Sequence, residues 1–385
     1  MEHVIANNLR RFRKEKHINQ QDLAEKAGLS RSGYANIEQG KTIPRPNNLK
    51  ALARALNVHL KEILTPVRQL SKVRFRSLKR LKSREQVLAD VACWLGDFSD
   101  LEKILDEFEE CGLESIWKEL SKIEQPEIPA IATSMRNHFG LSEKEPVHDI
   151  CGLLESQGIK VFSVCVANDA FMGLSVAKED GGPAIIVNTW GRLPVETWIF
   201  SAAHELAHLI LHIGAYDVNQ DQEDKLQENQ ADEFASHFLM PEAAFEKEWQ
   251  DAAGLPLIDR VFKVKRVFRV SWRTVIYRVS LALPTDERGK LWQQFSKLYK
   301  QRSGRSLLKH DEPNAISKEI YQSPHPLQNI GHEPASMVQS DFQSDRLSRL
   351  VRMAVEQDAI SMSRGAEILQ IPLEEMRDLS ACWMA

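Results

Sequence analysis

The sequence predicts a multidomain chain: an all-α domain first, an α+β domain in the middle and a helical region at the end. Three observations predict it. The first 65 residues hold short helix-periodic segments, each punctuated by a cap or a glycine, and no β-rich run. Residues 130–250 mix helical spacing with short runs of branched residues. Beyond 250, helical periodicity returns alone. At 385 residues the chain is too long for one ordinary domain, and 43% apolar residues suffice to build real cores.

Within residues 1–65, LRRFRKEKHI reads as an amphipathic helix with Leu9 and Phe12 inward. NQQDLAEKAG follows, with Asn19 as N-cap and Gly28 as stop, and LSRSGYANIEQG repeats the pattern with Ser30 and Gly40. KTIPRP is a turn, and NNLKALARALNV carries helical spacing at Leu49, Leu52, Ala53 and Leu56. Two short helices joined by AGLS, the second starting at Ser30, form a helix-turn-helix signature. With Gln20, Gln21, Ala24, Gly28, Ile37, Glu38, Gly40 and Pro44 in their places, this segment resembles the phage-repressor, Cro-like family. The resemblance implies that the second helix of the pair enters the major groove of a double-stranded DNA operator. By position, Arg31, Ser32 and Asn36 face bases, while Gln20, Lys41, Thr42 and Arg45 set the phosphate backbone. Arg31 is the guanine reader, because its fork matches O6 and N7. A homodimer is expected, since such modules read two half-sites.

Charge points the same way. Residues 1–82 hold 19 Lys and Arg against 6 Asp and Glu, a balance of +13, so the net −4 leaves −17 for the rest. A basic end on an acidic body suits a polyanion. The competing reading is a helix-turn-helix used only for protein contacts.

Residues 66–129 change from basic to apolar to acidic and read as a helical connector ending in the linker EQPEIPA. Leu78, Leu81, Val87, Val91, Trp94 and Leu95 form either a dimer seam or a packing face. From 130 the pattern is α+β: ATSMRNHFGL and VHDICGLLESQG are helical, while IKVFSVCV, FMGLSVAK and PAIIVNT are strands, the last two separated by EDGG. AIIVN (184–188) is the candidate edge strand for pairing with an extended peptide. PVETWIFSAAHELAHLILHI is then a helix opening at Pro194.

In HELAH, a spacing of four puts His204 and His208 on one helix face, so both imidazoles can reach one ion. Glu205 stands beside the first of them as a candidate general base. A catalytic zinc site needs a third protein ligand and an open position. Twenty residues past His208, Glu228 and Asp232 stand four apart on a helix, as a ligand and as an acceptor for a histidine's second nitrogen. His212 continues the histidine face, either as a third ligand or as a partner of His208, and His237 shares the Glu228 helix. Tyr277, His212 and His237 are the candidates for an oxyanion stabiliser.

GLSV, IIVNT, HELAHLILH and ENQADEFASHFLMP together resemble the ImmA/IrrE metallopeptidase family over about residues 150–245. The resemblance implies a zincin-like peptidase domain (130–250) that uses Zn2+ to cleave a repressor and so relieve repression, typically under stress or DNA damage. Ala207 stands where that family commonly has glycine, a small-for-small exchange, and His237 stands where it is more often apolar or acidic.

Residues 251–300 read as a helical extension, with VSWRT turn-like before an apolar helix. Residues 301–345 read as a loose polar connection, and 346–385 as a C-terminal helical element with Ser363, Ala366 and Ile371 in another helix-turn-helix rhythm. The five cysteines form no CxxC pair, no run reaches membrane-span length and no signal-peptide pattern opens the chain. The expected compartment is the cytoplasm, without a membrane. Two functions remain in competition. One is a DNA-binding regulator with a zinc endopeptidase domain that cuts a repressor, a toxin-associated protein or another partner. The other is an operator-binding repressor or antitoxin-like protein whose peptidase fold grips a partner without catalysis.

Overall fold

A computed structural model of the chain describes residues 2–16, 18–64, 70–75, 84–120, 127–217, 224–308, 310–313 and 337–383. The chain divides into two compact units, Met1–Leu70 with Arg80–Asp100, and Ser71–Lys79 with Leu101–Ala385.

The first unit opens with helices α1 (Glu2–Glu15), α2 (Gln20–Lys26), α3 (Arg31–Glu38), α4 (Pro46–Leu56) and α5 (Leu60–Leu64). The caps fall where the sequence places them. Asn19 accepts from the Asp22 amide and Ser30 from the Gly33 amide. Gly28 and Gly40 take positive φ of 68° and 71°, which lets the chain leave each helix sharply. Leu9, Leu23, Tyr34, Leu52 and Leu56 fill the core. Glu38 ties α3 to α1: the Arg13 guanidinium donates to its two carboxylate oxygens at 2.6 and 2.9 Å. Burial alone would raise the Glu38 pKa, but the Arg13 hydrogen bonds, with Tyr34 nearby, outweigh it and hold the carboxyl below its usual range. Glu38→Ala is therefore expected to destabilise this unit by about 3 kcal/mol. The folded pKa lies below the unfolded one, so this stabilisation is complete above the unfolded value and disappears as pH falls through the folded one. Hydrogen exchange of α1 and α3 in the full chain, read between neutral and acid pH, checks both.

The second unit begins with a strand the sequence does not announce. Residues 73–75, expected within a helical connector, form β1 (Val73–Phe75). After it come α6 (Arg84–Leu105), α7 (Glu114–Leu120), α8 (Ile128–His138), α9 (Ile150–Glu155), β2 (Lys160–Val164), β3 (Gly173–Val176), β4 (Ala184–Asn188) and α10 (Val195–Leu211). Helix α6 starts in the first unit and ends in the second. Its Val87, Val91, Trp94 and Leu95 are buried in the chain, which answers the packing question for those four. Leu78 and Leu81 lie outside the described residues.

The sheet order is β1-β3-β4-β2, with β2 parallel to β4 and the other two pairs antiparallel. This corrects the expectation that AIIVN is an edge strand. All five of its residues are buried and it is central, as an unbroken apolar run predicts better than alternation would. Asn188 at its end is fully buried and organises residues 165–172. Its Nδ2 donates to the carbonyls of Val166, Asn168 and Phe171, and its Oδ1 accepts from the Val166 amide.

Helix α10 lies against β3 and β4 with nearly every residue buried, Pro194 serving as its N-cap. Helix α11 (Lys225–Leu239) packs between α10 and α8 through Ala231, Phe234, Ala235 and Phe238. Four more helices follow: α12 (Glu242–Asp251), α13 (Leu257–Phe268), α14 (Trp272–Leu281) and α15 (Thr285–Ser303). The VSWRT turn is real, with Arg269 left-handed and Ser271 capping α14, but Phe268, Val270, Trp272 and Val275 are buried in the main core. The stretch 301–345, expected to be loose, is pinned where it is described. The Trp272 indole donates to the Asp311 carbonyl at 2.8 Å, and Phe342 packs on Trp198. The chain closes with α16 (Arg346–Glu356), α17 (Met362–Leu369) and α18 (Leu373–Cys382), where Gly365 lets Met376 and Val351 approach. No helix among the described residues is long and apolar enough to cross a membrane.

Candidate metal centre

Three side chains converge between α10 and α11. His204 and His208 are one turn apart on α10, and Glu228 is in the first turn of α11, after Asp224 caps that helix. The His204 and His208 Nε2 atoms are 3.0 Å apart, and the Glu228 carboxylate oxygens stand 3.2 and 3.3 Å from them. Among the described residues these three form the group able to hold a metal ion. Zinc ligand atoms at tetrahedral corners lie about 3.3 Å apart, so the observed triangle fits such an ion.

The surrounding hydrogen bonds fix which nitrogen carries each proton. The Asp232 carboxylate is 2.8 Å from His204 Nδ1, so that nitrogen is the donor and Nε2 turns a lone pair to the centre. A longer relay does the same for His208. Gln230 Oε1 accepts from His212 Nε2 at 3.0 Å, leaving His212 Nδ1 to accept from His208 Nδ1 at 2.9 Å. Two imidazole lone pairs and a carboxylate therefore face one point, a donor set that suits a cation. Burial pushes the His208 pKa well below its ordinary value and takes His212 down to about 4, keeping both neutral. The Glu228 carboxyl is held well below its usual range: burial opposes this, and the His204 and His208 rings beside it overcome it.

His212 is thus the partner of His208 and not a third ligand. His237 is elsewhere. Nine residues beyond Glu228 on a helix of 3.6 residues per turn is about half a turn, which sends it to the opposite face. There it meets Arg278 and Glu242, and burial, with the Arg278 charge, lowers its pKa to about 3.

Glu205 points toward the sheet. It is 1% exposed, and its Oε2 accepts from Ser175 Oγ at 2.8 Å, which in turn accepts from the Tyr216 hydroxyl at 2.7 Å. Gly173 makes the approach possible, because a Cβ there would sit 2.7 Å from the Ile186 carbonyl and 3.4 Å from Glu205 Cγ. A cavity of about 450 Å³ is lined by Met172, Ser201, Asp232, Tyr277 and Trp292 among others. Burial raises the Tyr277 phenol to about 12, so it remains a neutral donor.

Sequence reasoning missed four residues here. Ser175 and Tyr216 hold Glu205, Gln230 sets the relay, and Arg74 of β1 donates to Gln227 Oε1 at 2.5 Å and Glu228 Oε1 at 3.1 Å. The GLSV motif contains Ser175 and ENQADEFASHFLMP contains Gln230, so two of the four lay inside motifs the sequence displays.

In the first unit, Arg31, Ser32, Asn36, Lys41, Thr42 and Arg45 are all exposed. Gln20 is half-buried beside Glu38, so it is less open than the other six.

Comparison with known proteins adds the following. A helix-turn-helix family matches residues 9–63, and the family described as IrrE N-terminal-like domain matches residues 154–280. An uncharacterized HTH-type transcriptional regulator of Sinorhizobium fredii is 32% identical over 66 residues, 17% of this chain and 86% of that protein. The chain belongs to the helix-turn-helix regulator family and carries an IrrE-like peptidase-family domain. The immunity repressor protein of Bacillus phage phi105 is 38% identical to it over 61 residues, 16% of this chain and 42% of the repressor. The helix-turn-helix regulator thus spans less than half the length of that relative. A structure of the apo form of ComR from S. thermophilus aligns over 79% of this chain and 96% of that one at 11% identity. The TM-score of that alignment is 0.16. The IrrE-like match takes in β2–β4 and α10–α14, and therefore every residue of the converging group.

Proposed function

We propose that this regulator binds operator DNA through α3 and that its IrrE-like domain is a zinc endopeptidase acting on a repressor or other partner protein. The observation that carries this reading is the convergence of His204 Nε2, His208 Nε2 and the Glu228 carboxylate, with Asp232 and the His212–Gln230 relay setting both tautomers. His204, His208 and Glu228 would hold Zn2+, which would supply Lewis acidity for peptide hydrolysis. Glu205 accepts a proton from the attacking water and passes it to the leaving amine nitrogen. Ser175, backed by Tyr216, fixes that carboxylate through Oε2. Tyr277, a neutral phenol that lines one cavity with Asp232, is the donor we assign to developing negative charge.

One observation favours the second reading, a partner-binding regulator without catalysis. Arg74 sets a positive charge against Glu228, inside the proposed site. A proteome-derived peptide library, incubated with the zinc-loaded chain and read by mass spectrometry, separates the two. The peptidase reading expects new termini that a chelator abolishes and added zinc restores. A library left intact supports the binding reading.

A further inference from the structure

The domain matched over 154–280 contributes three strands, β2, β3 and β4, and in that set β3 is an edge. In this chain the edge is covered by a segment from outside the matched domain. Strand β1 pairs antiparallel with β3 in the register Val73–Val176, Arg74–Ser175, Phe75–Leu174. It is clamped at its start, where the Ser71 and Lys72 amides both donate to Asp180 Oδ2 and the Ala177 amide donates to the Lys72 carbonyl. Adding a strand to an open edge is a general way for a protein to hold an extended peptide. The placement is specific to the site, because Arg74 lies opposite Ser175, the residue that holds Glu205. Its side chain, 8% exposed, runs to Gln227 and Glu228.

We propose that the β3 edge is the peptide-binding edge of the IrrE-like domain and that residues 71–75 occupy it as a built-in pseudosubstrate. The ligand class follows from the contacts: an extended peptide with an arginine opposite Ser175, whose guanidinium replaces that of Arg74 on Gln227 and Glu228. Any such peptide must first displace β1. What this means for cleavage rests on the peptidase reading, but the occupancy of the edge does not.

A tethered strand competes at an effective concentration on the order of millimolar, so the intact chain resists a peptide added at micromolar concentration. The probe is a fluorescein-labelled LSKVRFR peptide, the sequence of residues 70–76, read by anisotropy on metal-free protein. The double variant Lys72→Pro/Arg74→Ala loses one amide to Asp180 and the guanidinium contacts. It is expected to bind the probe at least about tenfold more tightly than the unaltered chain. A probe with alanine in place of its first arginine is expected to bind about tenfold more weakly. Equal binding to both proteins, or binding to neither, overturns the proposal. Should the variant fail to fold, hydrogen exchange of the unaltered chain decides. Saturating probe should speed exchange at 71–75 while 174–176 stay protected, and unchanged exchange at 71–75 overturns the proposal. Neither readout uses metal or cleavage, so a chain that binds no zinc sinks the peptidase reading and leaves this test standing.

Discussion

Glu205→Gln is expected to hold zinc as the unaltered chain does and to cleave peptides at least about a hundredfold more slowly. The amide keeps the size of the side chain and can still accept from Ser175 Oγ, so the fold around α10 has no reason to change. What it loses is the ability to take a proton from water. Glu205 lies outside the converging group of His204, His208 and Glu228, which is why metal retention and turnover separate in this variant. Rates measured on any peptide the library identifies, beside elemental zinc analysis of the same preparation, check the pair of outcomes. Cleavage at the full rate contradicts the assigned role of Glu205.

The second large effect concerns DNA. Arg31 and Asn36 are exposed on α3, and Arg31 follows the Ser30 cap at the helix start. That is the end of a recognition helix that meets base edges. On an operator selected from randomised duplexes, Arg31→Ala with Asn36→Ala should weaken binding by a hundredfold or more, at about 1–3 kcal/mol for each bidentate base contact. Lys41→Ala should instead weaken all sequences alike and lower the salt slope by about 1. Gel-shift titrations at several salt concentrations distinguish the two. Undiminished binding by the double variant would place the DNA contacts on another face.

What the sequence made legible is what is encoded locally. The caps at Asn19 and Ser30, the glycines at 28 and 40, and the i, i+4 pairs His204/His208 and Glu228/Asp232 each lie within one or two helical turns. The structure brings the histidines and Glu228 to one point because α10 and α11 pack face to face. What stayed hidden depends on contacts between distant residues. Arg74 meets Glu228 across 154 positions, and Ser175 meets Glu205 across 30. Strand β1 is three residues inside a basic run, and it becomes a strand because β3 presents an edge. The misplacement of AIIVN as an edge had a sign available in the sequence, since a run with no polar alternation is buried on both faces. His237 was a matter of phase, half a helical turn from Glu228, where Arg278 waits.

The central claim is that α10 and α11 build a zinc site, and metal content tests it most directly. Protein purified without chelator, analysed by elemental mass spectrometry beside Glu228→Ala, is expected to carry about one zinc per chain, with the variant losing it. A folded chain with no stoichiometric metal, or a Glu228→Ala protein that keeps its full share, contradicts the account.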